Sequence, residues 1–340
     1  MITVALDAMG GDHGPRVVVP AALNALAAYP QLSLILVGDE TVLNSLIRKK
    51  NYDAQRLRIH HTSQSVAMDE PPAQALRYKK DSSMRVAINL VKEGAAQACV
   101  SAGNTGALLA TARFVLKTLP GIDRPALIGL MPTVVNRTTI VRVLDLGANI
   151  DSTPSHLLQF AAMGHIVSHA IDGVAKPRIA LLNIGEEEIK GNEVIKNAAK
   201  LFAAQSSLHY VGFIEANDLF SGKADVIVCD GFIGNIALKA SEGTAYMLLQ
   251  FFKRAVKESW LARLAIPFLL PVLNKTKKHF DPARYNGASL LGLNGVVIKS
   301  HGNAKEVAFR MAILQALKQV EQDVPSQIAS RVEVMLSRVC

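Results

Sequence analysis

The stretch Ala224-Asp-Val-Ile-Val-Cys-Asp-Gly-Phe-Ile-Gly-Asn-Ile-Ala-Leu-Lys239 runs an apolar strand into Asp230-Gly231 and a glycine turn, before a helix predicted to open at Asn235. Strands of α/β sheets end at a crevice, and a turn without bulky side chains lets a ligand reach backbone N–H groups at a helix N-terminus. Asp230, Gly234 and Asn235 are therefore candidates for binding a small anion. The pattern recurs in Val100-Ser-Ala-Gly-Asn-Thr-Gly106, which offers Gly103, Asn104, Thr105 and Gly106, and in Val297-Ile-Lys-Ser-His-Gly-Asn303, which offers His301. The three turns are expected to converge on one anionic group. Asn104 and Asn303 can each be read as a helix cap or as a ligand.

A fourth segment, Leu181-Leu-Asn-Ile-Gly-Glu-Glu-Glu-Ile-Lys-Gly-Asn-Glu193, places Lys190 against a glycine inside a predicted helix. Glycine costs about 1 kcal/mol relative to alanine there, so the backbone is read as shaped for a working Lys190. Other chemistries lack their parts. The sequence has no G-x-S-x-G, no G-x-x-x-x-G-K-[ST] and no H-E-x-x-H, and the glycines of Asp7–Pro15 miss the dinucleotide spacing. His165 and His169 stand four apart with no third ligand nearby, and Cys229 is read as a packing residue. No metal and no cofactor is expected.

The elements that must position these turns alternate. Candidate strands fall at 2–7, 33–38, 57–62, 97–101, 126–131, 139–146, 178–184, 208–214, 225–230 and 295–300. Helical patterns lie near 15–29, 40–50, 82–95, 104–118, 153–171, 188–205, 235–258, 303–322 and 325–338. Half of the 340 residues are hydrophobic while aromatics make up 5%, so the core should be Ala, Val, Leu and Ile around buried parallel strands. The expectation is one domain over 1–340, α/β and mostly parallel, a Rossmann-like α/β/α sandwich with a protruding helical hairpin at about 240–282.

The protrusion holds much of the positive charge. Eight basic and two acidic residues lie between Lys253 and Arg284 in a chain of net charge +9, and they flank the ten-residue apolar run Leu264–Leu273. A bilayer-crossing helix needs about 20 apolar residues, so this run is read as lying on an anionic membrane surface through Trp260, Ile266, Phe268, Leu269 and Leu270. A buried subunit contact is the alternative. Basic residues do not interleave with aromatics, which argues against nucleic acid. No export signal is visible and three widely spaced cysteines fit no disulfide framework, so a cytoplasmic location is expected.

Taken together, Asp7–Pro15, Val100–Leu109, Asp145–Asn149, Asn183–Glu193, Asp230–Asn235 and Tyr285–Gly302 resemble, in order, the bacterial phosphate acyltransferase family of phospholipid synthesis. The resemblance runs from residue 1 to beyond 300. It implies a soluble homodimer that moves a long-chain fatty acyl group from acyl carrier protein to inorganic phosphate, giving acyl phosphate and free carrier thiol. It also implies peripheral association with the inner face of the cell membrane, where a glycerol-phosphate acyltransferase consumes the product. Lys190 and Asn235 stand in family-matching motifs and are the expected catalytic pair, for charge stabilisation and hydrogen-bond donation. Gly103–Gly106 are the expected phosphate cradle, with Asp230 and His301 in orienting or proton-donating roles. Two other readings stay open: an acetyl transferase between coenzyme A and phosphate, and a non-catalytic membrane scaffold.

Overall fold

A computed structural model describes residues 1–48, 50–135, 140–262, 265–271 and 281–337. Its centre is one eleven-stranded sheet. Two groups of parallel strands build it. The first contains β1 (Ile2–Asp7), β2 (Leu32–Gly38), β3 (Leu57–His61), β4 (Ala98–Ser101) and β11 (Val296–Lys299). The second contains β6 (Ile140–Leu144), β7 (Arg178–Leu182), β8 (His209–Ile214) and β9 (Val226–Val228). Between them lie β5 (Ala126–Pro132) and β10 (Ala288–Leu291), giving the order β3-β2-β1-β4-β11-β10-β5-β6-β9-β7-β8.

Seven of the ten neighbouring pairs among the described residues are parallel, and β11–β10, β10–β5 and β5–β6 are antiparallel. Three reversals leave the second group pointing opposite to the first. The inner strands β4, β9 and β11 are short, mostly apolar runs buried on both faces, as covered parallel strands require, while the outer strands β3 and β8 are partly exposed. Alternate residues enter different cores. Ala5, Cys99, Val297, Val143 and Ile227 face a core shared with α4 (Ser83–Lys92) and α5 (Thr105–Leu116). On the other face, α1 (Pro15–Ala28), α2 (Glu40–Ile47) and α9 (Glu306–Glu321) cover the first group. There α6 (Pro154–Asp172), α7 (Glu193–Ala204) and α10 (Val324–Leu336) cover the second.

Several sequence expectations shift. β10 was not foreseen, being four residues set between Gly287 and Gly292, nor was α3 (Pro72–Tyr78), which opens on paired prolines. Helix α7 begins at Glu193 rather than 188, capped by Asn192, whose side chain accepts from Ile195 N at 2.9 Å. Lys190 and Gly191 therefore lie in a loop before the helix. α8 (Gly231–Glu258) starts four residues earlier than expected, because Asp230 is the cap and accepts from Ile233 N at 2.9 Å. Asn303 does not open a helix either: α9 begins at Glu306.

α8 leaves the body and exposes Tyr246, Met247, Leu248, Leu249, Phe251 and Phe252. Helical backbone follows at 260–262 and 265–271, with Trp260, Phe268, Leu269 and Leu270 exposed and Ile266 partly covered. The rest of the expected hairpin, including Arg263, Leu264 and the basic flank Lys275, Lys277 and Lys278, lies outside the described residues. No described helix is long and apolar enough to cross a membrane.

Candidate active site

Strand polarity sorts the expected site residues into two sets. β4 and β11 are parallel neighbours, so Gly103–Gly106 and His301 share the edge where the first group ends. β6, β9 and β7 are parallel neighbours, and their ends carry Asp145–Asn149, Asp230–Asn235 and the loop holding Lys190. The second group runs opposite to the first, so the three turns do not converge at one edge as the sequence suggested. Helix α8 links them. It begins at the second edge, packs Ala237 and Leu238 on the core shared with α5, and brings Glu242 Oε1 to 3.7 Å from His301 Nε2.

At the second edge the organising group is Asp145, which the sequence reading placed only within a family segment. Its Oδ1 accepts from the backbone N of Leu127 (2.9 Å), Gly147 (3.2 Å) and Ala148 (3.0 Å). Its Oδ2 accepts from Asn149 N at 2.7 Å and Asn149 Nδ2 at 2.8 Å. Burial pushes its pKa up, and the donors around it oppose that shift. With its oxygens so engaged, Asp145 fixes a loop and is not free to act as a base. That loop seats the first turn of α8. A β-carbon on Gly234 would overlap the Asp145 carbonyl oxygen, so only glycine permits the approach.

Half-buried Asn235 follows this contact, its side chain against Gly147. Across β9 lies the 183–192 loop. Asn183 Nδ2 donates to the carbonyls of Gly185 (3.0 Å) and Lys190 (3.3 Å), closing the loop, while the Lys190 stem lies over Gly185 and the side chain is exposed. Cys229 is buried with its thiol donating to the Asp145 carbonyl at 3.3 Å, and burial holds its pKa well above the ordinary thiol value, as a packing residue requires.

The first edge contains a buried charge row. Asp7 Oδ2 accepts from Ser101 Oγ at 2.6 Å, and Oδ1 from Ser83 Oγ at 2.6 Å and Gly10 N at 3.1 Å. Lys299, paired with Ser101 in register, is buried on the same side, and its ammonium reaches the carbonyls of Ala102 (3.5 Å) and Ser300. Burial lowers its pKa from 10.5 to about 8, against the pull of Asp7 and Asp12. Sequence reasoning missed this row, since Val-Val-Ile-Lys reads as an ordinary strand end. Asn104 resolves toward the cap: its Oδ1 accepts from Ala107 N at 3.0 Å, while Nδ2 holds the carbonyls of Met68 and Glu70, both at 2.9 Å. Its amide is thus occupied. Gly103 N donates to Ser101 Oγ at 3.0 Å, and Thr105 and Gly106, both half-buried, open α5.

These segments occur together in known proteins. The family described as Fatty acid synthesis protein matches residues 2–327. Phosphate acyltransferase of Coxiella burnetii (strain Dugway 5J108-111) is 58% identical over 336 residues, covering 98% of this chain and 97% of that protein. The chain belongs to the phosphate acyltransferase family. The Methylococcus capsulatus member is 57% identical over 332 residues, 97% of either chain. This phosphate acyltransferase is thus an enzyme of fatty acid and phospholipid synthesis that transfers an acyl group to phosphate. Its fold is shared more widely. A phosphotransacetylase from Streptococcus pyogenes superposes with a TM-score of 0.60 at 20% identity, and EutD phosphotransacetylase from Staphylococcus aureus at 0.59 and 18%, each covering 94% of both chains. At those identities the likeness concerns architecture alone.

Proposed function

We propose that this phosphate acyltransferase takes a long-chain acyl group from acyl carrier protein, with Lys190 and Asn235 as the groups that act on the reacting atoms. The observation that carries this reading is the junction at the ends of β6, β9 and β7, where a half-buried Asn235 at the start of α8 rests on the loop held by Asp145 and an exposed Lys190 stands on the loop held by Asn183. A thioester is already activated, its thiol leaving with a pKa near 8.5, and phosphate is largely ionised at neutral pH. No nucleophile has to be generated. A phosphate oxygen attacks the thioester carbonyl, the C–O bond forms, the C–S bond breaks, and the carrier thiolate leaves to be protonated from solvent. Lys190 offsets charge on phosphate and on the developing oxyanion, and the Asn235 amide donates to the same centre.

The exposed apolar residues of α8 from Tyr246 to Phe252 need cover, and a second copy of the chain in a homodimer supplies it. Beyond them, Trp260, Phe268, Leu269 and Leu270 are exposed and suit the inner membrane surface, where a glycerol-phosphate acyltransferase receives the acyl phosphate. The test mixes long-chain acyl carrier protein with phosphate and measures hydroxylamine-trappable acyl phosphate together with thiol release. Both products should appear, and only when phosphate is present. Thiol release without acyl phosphate would sink the reading.

A further inference from the structure

Two segments concentrate the positive charge. Besides 253–284, residues 77–117 carry seven basic side chains against two acidic ones, so outside these segments the chain is net acidic. The second segment folds into a face built by α3, α4 and α5. At its centre the half-exposed Phe114 ring lies between two cations, with Lys117 Nζ 4.8 Å and Arg85 Cζ 5.2 Å from its centroid. Arg77 stacks on the exposed ring of Tyr78 at 5.3 Å. Lys80 and Arg113 are exposed nearby in sequence. Among the described residues, no carboxylate pairs with any of these cations. Stacking holds Arg77, Arg85 and Lys117 in place without neutralising them.

Lys117 adds an independent sign. It ends α5 at φ 62°, in the left-handed region where glycine would sit unstrained. Its carbonyl accepts from Asn294 N at 3.1 Å, which fixes that conformation. A lysine is thus kept where backbone geometry favours glycine.

The placement of this face follows from topology. α5 returns from the end of β4 toward the edge where β4 begins, and the antiparallel second group ends its strands at that same edge. Seven residues beyond the Lys117–Thr118 end of α5, the Pro125 carbonyl accepts from Asn149 Nδ2 at 2.9 Å, and Asn149 abuts Gly231 of α8. The cationic end of α5 and the Asn235 junction therefore share one edge. We propose that this face is the docking surface for the acidic carrier protein that presents the acyl thioester. The proposal rests on the carrier-protein reading above. Charge complementarity selects the partner: the face offers unpaired cations and only two rings, whereas the helical turns after α8 present the exposed apolar residues Trp260, Phe268, Leu269 and Leu270 that lipid requires.

The experiment compares two donors of one acyl chain, acyl carrier protein and a neutral N-acetylcysteamine thioester. With Arg113→Glu plus Lys117→Glu, kcat/KM for the carrier protein should fall at least about tenfold through KM, and its decline with added salt should flatten. The neutral thioester should be used at the wild-type rate. Lys117→Gly, which removes the charge while suiting the backbone, should show a smaller drop of the same pattern. Unchanged carrier-protein kinetics overturns the proposal, and so does an equal loss with both donors. Loss of binding to anionic vesicles with carrier kinetics intact would assign the face to lipid instead. Should the wild-type enzyme use only the neutral thioester, the carrier-protein reading itself fails, a result distinct from every variant outcome.

Discussion

Asn235 in the first turns of α8 meets Gly147 in the loop after β6: a β-carbon on Gly147 would stand 3.5 Å from both Cβ and Cγ of Asn235. The contact ties the amide proposed for catalysis to the loop that Asp145 organises, so its position depends on how closely α8 can seat there. Gly231 and Gly234 set that closeness. A β-carbon at Gly231 would lie 2.8 Å from Asp145 Oδ2. The substitution most damaging to the site should therefore touch no reacting atom.

Gly234→Ala tests this. Its methyl would overlap the Asp145 carbonyl oxygen and lie 2.8 Å from Cys229 Sγ, both in a close-packed interior that cannot recede. The expected loss is about 3 kcal/mol of unfolding free energy by urea titration, the upper range for overpacking. Turnover should fall with it as Asn235 shifts. A variant as stable and as active as wild type would show that the loop yields, and that the seat of α8 is not fixed by glycine.

Lys190→Ala and Asn235→Ala should each lower kcat/KM by about 10²-fold or more, the scale for losing one charge-stabilising donor. Stability should change little for Lys190, whose side chain is exposed. Steady-state assays with melting curves separate the two effects. If both variants stay folded and turn over at near wild-type rates, the catalytic centre lies elsewhere, and the row at Asp7 and Lys299 becomes the next place to look.

The strands could be read from sequence because buried parallel strands are nearly continuous Val, Ile and Leu, and ten of the eleven were. β10 escaped because Ala288–Leu291 is four residues between glycines, too short for a period to show. Strand direction was the larger omission. Nothing in Val100–Gly106 or Asp145–Asn149 tells which way each points relative to the other, and three antiparallel pairings decide it. Asn235 looked like a cap because Asn caps helices. Asp230, five residues earlier, does so equally well, and the glycines between them read as a turn rather than as the small face of a packed helix. The Asp7, Ser101 and Lys299 row was hidden because its members lie far apart in sequence and meet only through strand register.

Lys299 gives the fold a pH dependence of definite sign. Its folded pKa, about 8, lies below the unfolded value of 10.5, so between these pH values the unfolded chain holds a proton that the folded chain has released. Stability contributed by this site is therefore lowest below pH 8 and rises with pH toward 10. Relative to Lys299→Met, wild type should gain about 2 kcal/mol between pH 8 and pH 10. Urea titrations of both proteins across that range measure it. Parallel curves would mean that the ammonium keeps its charge in the fold, satisfied by the Ala102 and Ser300 carbonyls and by Asp7.

The helical turns beyond α8 should hold the enzyme on membranes by apolar insertion, assisted by charge. Phe268 is 86% exposed, and Leu269 and Leu270 are nearly half exposed, which no isolated soluble surface favours for three successive apolar residues. Basic residues near a lipid surface add about 1 kcal/mol each, and salt screens that part alone. Leu269→Glu combined with Leu270→Glu should release the protein from anionic vesicles in flotation. Activity toward soluble acyl carrier protein should stay largely unchanged, because these residues are separated in sequence from the Asn235 junction. Raised salt should weaken wild-type flotation only partly, since insertion remains. If the double variant floats as wild type does, the exposed apolar turns belong to a subunit contact, and the basic excess of 253–284 has to be explained by a partner other than lipid.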